Sequence, residues 1–213
     1  MKKETRNKFI TIEGIEGAGK TTAISFIQTW LKEKKIPFII TREPGGTEIA
    51  EEIRHILLRH HNESLTDMTE LLLFFAGRAQ HLDTTILPAL KHGKWVVCDR
   101  FVDASFAYQG GGRKIPLSFL ECLEKHVLKG EKPDLTILLD LPVEVGLSRI
   151  QIRGKHDRIE QEKKNFFKIV RKMYLKRAEQ FAQRFQILNA DCSVDEMKDR
   201  LYTILNNFFK KQH

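Results

Sequence analysis

Short apolar runs alternate along the chain with longer segments in which apolar residues recur every three or four positions. The short runs predict β-strands, and the longer segments predict helices between them. The predicted strands are 9–12, 38–41, 95–98, 135–140 and 186–188. The predicted helices are 22–34, 47–57, 67–88, 116–128, 142–153, 163–184 and 194–209. Strands that alternate with helices indicate an α/β fold in which a five-stranded parallel sheet carries helices on both faces.

Three segments carry more detailed expectations. Segment 67–88 is apolar nearly all round, so we expect it to be buried on two sides. Segment 108–113 contains three consecutive glycines before an arginine, which predicts a flexible basic loop. Segment 163–184 combines aromatic residues at core spacing with many lysines and arginines, which predicts an amphipathic helix with a solvated basic face.

The length of 213 residues is enough for one sizeable core, and we expect a single domain over 1–213. Hydrophobic residues make up 41% and charged residues 30%, which is ordinary for a globular protein. No run of eighteen apolar residues offers a membrane span, and the first six residues contain no apolar signal segment. The expected location is therefore the cytoplasm.

The cysteines and histidines do not form a metal or disulfide pattern in the sequence. Cys98, Cys122 and Cys192 are widely spaced and odd in number, so we expect packing residues rather than a disulfide framework. The histidines include the pair His60-His61, but no carboxylate or cysteine stands at ligand spacing beside that pair. We expect the histidines to lie at the surface.

The net charge of +8 fits nucleic acid, a membrane surface or small phosphorylated ligands as partners. The distribution of the charges favours the third class. One group of cations lies on the predicted helix at 163–184, while other arginines stand singly beside glycines and aromatic residues, as arginines that grip phosphate do.

One stretch near the start predicts a phosphate-binding loop. Residues 14–21 match the pattern of a glycine, any four residues, then Gly-Lys-Ser/Thr, and they lie between a predicted strand and a predicted helix. In this P-loop arrangement backbone N–H groups cradle phosphates, Lys20 reaches the β- and γ-phosphates, and the Thr21 hydroxyl holds Mg²⁺. The residues expected to hold the triphosphate of ATP are Gly14, Ile15, Glu16, Gly17, Ala18, Gly19, Lys20, Thr21 and Thr22.

The rest of the chain narrows the class of nucleotide enzyme. We find neither the Asn-Lys-x-Asp base reader of a GTPase nor an Asp-x-x-Gly switch after a strand. A small kinase remains, which needs an acceptor site and a cationic cover that excludes water. The segment at about 149–162 is the candidate cover, or lid, because it carries Arg149, Arg153 and Arg158 around a glycine. The alternative is a solvated helix end with surface ion pairs.

The candidate acceptor site begins with Phe74 and Arg78. These residues are four apart on one predicted helix, so an aromatic face and a guanidinium group can meet one planar base. The alternative is that Phe74 belongs to the core, as its apolar neighbours suggest. The residues alone leave both interpretations open.

Six segments together resemble the thymidylate kinase family, in its bacterial form with lid arginines. They follow one another along nearly the whole chain, and the Arg-Glu-Pro-Gly-Gly and Tyr-Gln-Gly segments are far more specific than the glycine loop. The six segments are 14–22, 41–47, 73–80, 99–101, 107–110 and 157–160.

This resemblance implies transfer of the γ-phosphoryl group of ATP to dTMP, with Mg²⁺, in the synthesis of dTTP. It implies that Phe74 stacks on thymine and that Arg78 hydrogen-bonds the edge of the base, with Ser105 and Gln109 nearby. By the same resemblance Tyr108 lies under the deoxyribose, and Glu16 accepts a hydrogen bond from its 3′-hydroxyl. The implied grip on the acceptor phosphate consists of Arg42, Arg54 and Arg100.

The resemblance also implies that Asp99 acts on Mg²⁺ through water and that the protein is a homodimer built on the apolar helices around 71–90.

Two positions depart from the pattern of the family. Gly17 stands where some members carry an arginine, so the charge-stabilising role should fall on the lid, with Arg153 as the leading candidate. Phe101 stands where tyrosine or histidine is common. The residues expected to carry catalysis are Lys20, Arg153, Arg100 and Glu16.

Two other functions remain open from the sequence. The first is another nucleoside monophosphate kinase, acting on UMP, CMP or AMP. The second is a nucleotide-dependent nucleic-acid-binding module that would use the helix at 163–184. The aromatic residues of that helix fall at core spacing instead of alternating with the cations, which disfavours a stacking platform for bases.

Overall fold

The computed structural model describes residues 7–154 and 157–210, and within them strands alternate with helices as expected. The strands are β1 (Phe9–Glu13), β2 (Phe38–Arg42), β3 (Trp95–Asp99), β4 (Leu135–Asp140) and β5 (Phe185–Asn189). The α-helices are α1 (Lys20–Glu33), α2 (Glu48–Leu58), α3 (Asp67–His81), α4 (Leu87–Lys91), α5 (Val102–Ser105), α6 (Leu117–Leu128), α7 (Val143–Arg153), α8 (Lys164–Gln180) and α9 (Val194–Lys210). Two π-helical segments, Leu82–Ile86 and Phe106–Gly112, follow α3 and α5.

The five strands form one parallel sheet in the order β2-β3-β1-β4-β5. The central strand β1 pairs with β3 on one side and with β4 on the other. Its register sets Ile12 opposite Asp99, so the ends of β1 and β3 lie side by side. Ligands of parallel sheets bind at this carboxyl edge, and the predicted α/β fold with helices on both faces is confirmed.

Two apolar clusters pack around the sheet, whose central strands β1, β3 and β4 are almost entirely buried, whereas the edge strands β2 and β5 are partly exposed. One cluster includes Ile27, Trp30 and Leu201 from the helices α1 and α9, together with residues of α8. The other includes Leu71 and Phe75 of α3. Among the residues described, no helix has both the length and the apolar character that a membrane crossing requires.

The prediction of a flexible loop at 108–113 is wrong. Residues Phe106–Gly112 form a π-helical segment that is buried from Phe106 to Gly111. The glycines serve close packing here, because a Cβ atom on Gly112 would overlap the Phe166 ring of α8. Arg113 is also held, since it pairs with Glu70 and Glu162.

Other expectations about burial need correction. Leu71 and Phe75 are buried in α3, but Leu72 is 45% exposed, so this helix is covered less completely than its composition predicts. His81 is fully buried because it hydrogen-bonds to Thr41 and Glu43, and it is therefore not a surface histidine. Cys98 packs in the core as expected, whereas Cys122 is exposed.

The basic face predicted for 163–184 is also only partly solvated. Arg177 of α8 is 4% exposed, and its Nε atom donates to Asp103 at 2.8 Å. Arg184 donates to the same carboxylate. Helix α8 ends at Gln180, so the predicted segment divides into a helix and a turn before β5.

Candidate active site

The loop after β1 has the backbone that its glycines predict. Gly14, Gly17 and Gly19 have φ values of +142°, +73° and +88°, a region that favours glycine. A Cβ atom on Gly17 would overlap the carbonyl oxygen of Gly146 in α7. Helix α1 begins directly after this loop at Lys20, so its N-terminal N–H groups face the loop, as phosphate binding requires.

Lys20 lies inside the loop. Its Nζ atom donates to the carbonyl oxygens of Gly14 at 3.0 Å and Ile15 at 2.9 Å. Burial, and then the charge of Arg100, lower the pKa of Lys20 to about 8. The carboxylates of Asp99 and Glu16 offset this lowering only in part, so a phosphate group would stabilise the ammonium group further and the surroundings of Lys20 suit an anionic ligand.

The ends of β1 and β3 are joined by a network around Glu16. The Nη2 atom of Arg100 donates to Glu16 at 2.7 Å, and the Tyr108 hydroxyl donates to both carboxylate oxygens of Glu16, at 2.8 and 2.6 Å. The guanidinium of Arg100 lies 4.9 Å from the centre of the Tyr108 ring. Burial raises the pKa of Tyr108, so its hydroxyl stays protonated and remains a donor.

Arg100 has a left-handed backbone, with φ of +66°, which is unusual for a residue with a side chain. The next residue, Phe101, donates its backbone N–H to Glu13 at 2.7 Å. Glu13 also accepts from the Tyr174 hydroxyl at 2.8 Å. Glu13 therefore holds the turn that aims Arg100 into the site, and sequence reasoning did not identify it.

These residues open into one cleft of about 500 Å³ at the carboxyl edge of the sheet. The cleft reaches from the glycine loop to α3 and to the segment after α7, so residues from distant parts of the chain meet in it. Of the predicted site residues, those lining it are Glu16, Gly17, Gly19, Lys20, Thr21, Arg42, Arg54, Phe74, Asp99, Arg100, Ser105, Tyr108, Gln109 and Arg149. Those outside its lining are Gly14, Ile15, Ala18, Thr22, Arg78 and Arg158.

Arg78 lies directly behind the wall that Phe74 and Ser105 form. It is 1% exposed, and its Nε atom donates to Glu43 at 2.7 Å. Its Nη2 atom donates to Ser105 Oγ at 3.1 Å. Its Nη1 atom is buried and has no hydrogen-bond partner within the described part of the chain. An unpaired donor behind the cleft wall and close to Ser105 suits the acceptor edge of a planar base.

Two further arginines line the cleft from β2 and α2. Arg54 donates from Nη1 to the Pro44 carbonyl oxygen at 2.8 Å, and Arg42 donates from Nη2 to Glu51 at 3.0 Å. Burial lowers the pKa of Arg54, and the charge of Arg42 lowers it further. Repulsion between neighbouring guanidinium groups would be relieved by an anion, so this end of the cleft also suits a phosphate.

Thr21 and Asp99 fit the surroundings of a nucleotide-bound Mg²⁺. Both line the cleft, and the Oδ1 atom of Asp99 is buried with no hydrogen-bond partner among the residues described. A carboxylate oxygen and a hydroxyl are ligand types that Mg²⁺ accepts directly or through water. The residues present therefore fit the ion.

The chain was also compared with known proteins. The family model described as thymidylate kinase matches residues 12–201. Proteins named thymidylate kinase share 49% identity over 94% of this chain in Ruthia magnifica and 46% over 97% in Nitrosomonas eutropha. A third, from Chromohalobacter salexigens, shares 50% over 91%. These alignments cover 98%, 96% and 92% of the three relatives.

The chain belongs to the thymidylate kinase family. The segments on which the resemblance was based lie within or beside the cleft, so the match in sequence and the site in the structure concern the same residues. The Arg-Glu-Pro segment supplies three lining residues, Arg42, Glu43 and Pro44.

The two ends of the predicted lid have different positions in this thymidylate kinase family member. Arg149 donates from Nη1 to the Gly17 carbonyl oxygen at 3.1 Å, which sets the middle of α7 against the glycine loop. Arg158 instead donates to Glu70 and to the Leu57 carbonyl oxygen. The side chain of Arg153 lies outside the described part of the structure.

Several residues of the site were missed from the sequence. Glu43 is 5% exposed and holds Arg78 and His81. Its place in the Arg-Glu-Pro segment of the thymidylate kinase pattern was the signal that could have identified it. Asp157, which accepts from the backbone of its own turn, stands in the segment 157–160 and had the same signal. Glu70 carries no such signal, because its partner Arg158 is far along the chain.

Proposed function

We propose that the cleft is where this member of the thymidylate kinase family transfers the γ-phosphoryl group of ATP to dTMP, forming dTDP and ADP. The observation that carries the proposal is that an aromatic and polar wall, with Phe74, Ser105 and Gln109, opens into the same cleft as Lys20. Family membership supports the reaction, its role in nucleotide biosynthesis and the use of ATP with Mg²⁺.

On the acceptor side, the thymine ring would stack on Phe74. Arg78 would donate to the edge of the base from Nη1, which has no other partner among the described residues. Gln109 and Ser105 would complete the contacts to the base, and Tyr108 would lie under the sugar. Because the Tyr108 hydroxyl is bonded to Glu16, its ring is held in place and leaves little room for a 2′-hydroxyl group.

On the donor side, the loop 14–22 would hold the triphosphate of ATP, with Lys20 against the β- and γ-phosphates. The transition state of phosphoryl transfer is loose, so the protein mainly aligns the two nucleotides and neutralises charge. Arg100 reaches Glu16 and the centre of the cleft, which suits a contact with the phosphoryl group in transfer. Arg42 and Arg54 would bind the acceptor phosphate.

Thr21 and Asp99 would hold Mg²⁺, which neutralises phosphate charge when it is bound. Glu16 would accept from the 3′-hydroxyl of the acceptor sugar and would thereby distinguish a nucleotide that lacks this group. Arg149 and Arg153 would cover the donor phosphates from the lid. The donor contact expected of Arg158 stays a prediction that would require this side chain to leave Glu70.

We also propose a single domain over 1–213 with a lid segment at about 149–162. The sheet and its two apolar clusters involve residues from both halves of the chain, which supports one folding unit. A cytoplasmic location is proposed because ATP and nucleotide precursors are used there.

A homodimer through α3 is a further proposal. Met68 and Leu72 are four apart on α3, and they are 44% and 45% exposed although both are large and apolar. Exposed apolar residues that form one patch mark interaction surfaces. Light scattering on the purified protein would give twice the monomer mass, whereas a monomer mass at micromolar concentration would contradict the proposal.

The choice of acceptor is tested with a coupled assay of ADP release. We expect kcat/KM for dTMP to exceed that for dCMP and for UMP by about 10²-fold or more, because a wrong base or a 2′-hydroxyl leaves buried polar groups unpaired. Equal kcat/KM values for UMP and dTMP would contradict the proposal that Tyr108 leaves no room for a 2′-hydroxyl group. A preference for dCMP or AMP would indicate another nucleoside monophosphate kinase, and ATP turnover stimulated only by DNA would indicate the nucleic-acid-binding alternative.

A further inference from the structure

Tyr174 of α8 contacts the cleft residue Arg100 without lining the cleft itself. It is 1% exposed, and it is not among the described residues that line the cleft. Its hydroxyl oxygen accepts from the Nη1 atom of Arg100 at 3.2 Å, and the hydroxyl donates to the Oε2 atom of Glu13 at 2.8 Å. Tyr174 therefore connects the guanidinium group of Arg100 with the end of β1.

The chemistry of the two groups fixes the direction of both hydrogen bonds. A guanidinium group only donates, so the Tyr174 oxygen accepts from Arg100 and its own hydrogen is left for Glu13. Burial raises the pKa of Tyr174, so the hydroxyl keeps this hydrogen at neutral pH. The ring packs separately, since its centre lies 6.2 Å from that of the Tyr108 ring in an edge-to-face arrangement. Loss of the hydroxyl alone would therefore remove both hydrogen bonds and leave the packing of the ring.

The guanidinium group of Arg100 is held from three directions. Its Nη2 atom donates to Glu16, its Nη1 atom donates to Tyr174, and it lies 4.9 Å from the centre of the Tyr108 ring. Two hydrogen bonds on different nitrogen atoms, together with a ring against the group, fix the orientation of its plane. Without the Tyr174 hydroxyl, the plane could turn about the contact with Glu16.

Glu13 supports Arg100 at both of its ends. One oxygen of Glu13 accepts from the backbone N–H of Phe101, the residue that follows Arg100, at 2.7 Å. The other oxygen accepts from Tyr174. The left-handed backbone of Arg100 and the tip of its side chain are thus attached to one buried carboxyl group. Tyr174 is the link between this carboxyl group and the tip.

We propose that Tyr174 is a positioning residue that sets the plane of the Arg100 guanidinium group for the phosphoryl group in transfer. Tyr174 acts through Arg100 and touches neither nucleotide. Because the transition state is loose, its stabilisation depends on cations that are aligned before the reaction, and a tilted guanidinium group keeps its charge but loses this alignment. This inference rests on the proposed function, which gives Arg100 a contact with the phosphoryl group.

The first test compares the wild type with Tyr174→Phe. The single-turnover rate of transfer is measured with labelled ATP, Mg²⁺ and saturating dTMP, because this rate separates chemistry from product release. We expect it to fall by about 10-fold, which is less than the 10²-fold or more expected for loss of a charge-stabilising donor. The KM values of ATP and dTMP should stay within about 2-fold of the wild-type values, because the affected contact belongs to the transition state.

A double-mutant cycle with Arg100→Ala distinguishes positioning from a merely structural role. In the Arg100→Ala background, Tyr174→Phe should change the transfer rate by less than about 2-fold, because no guanidinium group is left to orient. A merely structural role would slow transfer by the same factor in both backgrounds. Equal factors, or a wild-type rate in Tyr174→Phe alone, would overturn the proposal.

Tyr202→Phe is the matched control. The Tyr202 hydroxyl donates to Glu33 near the surface at 3.4 Å, so its loss should leave the transfer rate and both KM values unchanged. A fall in rate equal to that of Tyr174→Phe would mean that the effect does not depend on Arg100, and would contradict the proposal.

Tyr174→Met provides a second route if Tyr174→Phe does not fold. Methionine fills irregular space in a core and also lacks the hydroxyl, so we expect the same fall in the transfer rate. A wild-type rate in this variant would equally overturn the proposal. The proposed function fails in a different way, namely if the wild type releases no ADP in response to dTMP.

Discussion

Single side chains set the chemistry of the cleft, and Glu13 illustrates how. It ends β1, is fully buried, and accepts hydrogen bonds from the Phe101 backbone and from Tyr174. Burial and the charge of Asp103 raise its pKa to about 8, against the lowering effect of Arg100. Near neutral pH this carboxyl group therefore holds a proton while it fixes the turn at Arg100.

Glu13 makes the stability of the protein depend on pH. Because the folded pKa of about 8 lies above the unfolded value of 4.5, the contribution of Glu13 is fully present below pH 4.5 and is lost as the pH rises towards 8. Inside this window, each rise of one pH unit lowers the free energy of unfolding by up to about 1.4 kcal/mol. The titratable groups that interact with Glu13 are Asp103, Arg100, Tyr174, Lys20 and Cys98.

The Glu13→Gln variant tests this dependence. Urea unfolding at pH 5, 6, 7 and 8 should show the free energy of unfolding of the wild type decreasing relative to that of the variant as the pH rises. The amide cannot ionise, which is the reason for the difference. Parallel pH profiles of the two proteins would mean that Glu13 is already ionised at pH 5.

At the scale of residues, the sequence could predict what depends on local spacing. Phe74 and Arg78 were paired because helical periodicity puts residues four apart on one face; Phe74 lines the cleft, and Arg78 lies behind its wall, bonded to Ser105. Glu43 and Glu70 were missed because their partners are far along the chain: Glu43 bonds Arg78 35 positions away, and Glu70 bonds Arg158 88 positions away. No spacing rule connects such pairs before the fold is known.

At the scale of elements, buried ion pairs attach the short helix α5 to α8 and to the turn before β5. Asp103 of α5 is fully buried and accepts from Arg177 of α8 and from Arg184 before β5, at 2.7 to 2.9 Å. The two guanidinium groups hold the pKa of Asp103 below its ordinary value in spite of burial. Helix α5 is thereby positioned next to Arg100, and it supplies Ser105 to the cleft.

Replacement of Asp103 by alanine should lower the free energy of unfolding by about 3–5 kcal/mol, because the buried Arg177 would lose its counter-charge. Urea denaturation measures the loss. Asp83→Ala is the matched control, since Asp83 pairs with Lys129 on the surface, where both side chains are about half exposed. Asp83→Ala should lower the free energy of unfolding by less than about 1 kcal/mol. A comparable small loss in both variants would contradict the structural role of Asp103.

Strands and helices could also be predicted where they depend on local sequence, and not where they depend on contacts with distant residues. Strands and helices were predicted because apolar periodicity is a local property. The cap of α2 is local as well, because Thr47 accepts from the backbone N–H of Ala50 three residues later. The segment Phe106–Gly112 was mispredicted because three glycines indicate flexibility in isolation. Their packing against Phe166 and Met173 of α8 could not be read from the segment itself.

At the scale of the whole molecule, the parallel sheet puts the ends of β1 and β3 at one edge, and the cleft forms there. The position of the donor loop follows from topology and could be predicted from the sequence. The contact of Arg149 with the glycine loop and that of Arg158 with α2 could not be predicted, because they depend on how α7 and the residues from 157 onward pack. The central claim is that one cleft has phosphate-binding groups at both ends and a wall for a base between them.

The most direct test follows the labelled γ-phosphoryl group of ATP. With Mg²⁺ and dTMP, the wild type should move the label onto dTMP, with one ADP formed for each dTDP. Lys20→Ala should lower kcat by about 10²-fold or more, because a charge-stabilising donor is lost. Label found as inorganic phosphate regardless of dTMP, or transfer at the wild-type rate by Lys20→Ala, would contradict a cleft that aligns the two nucleotides.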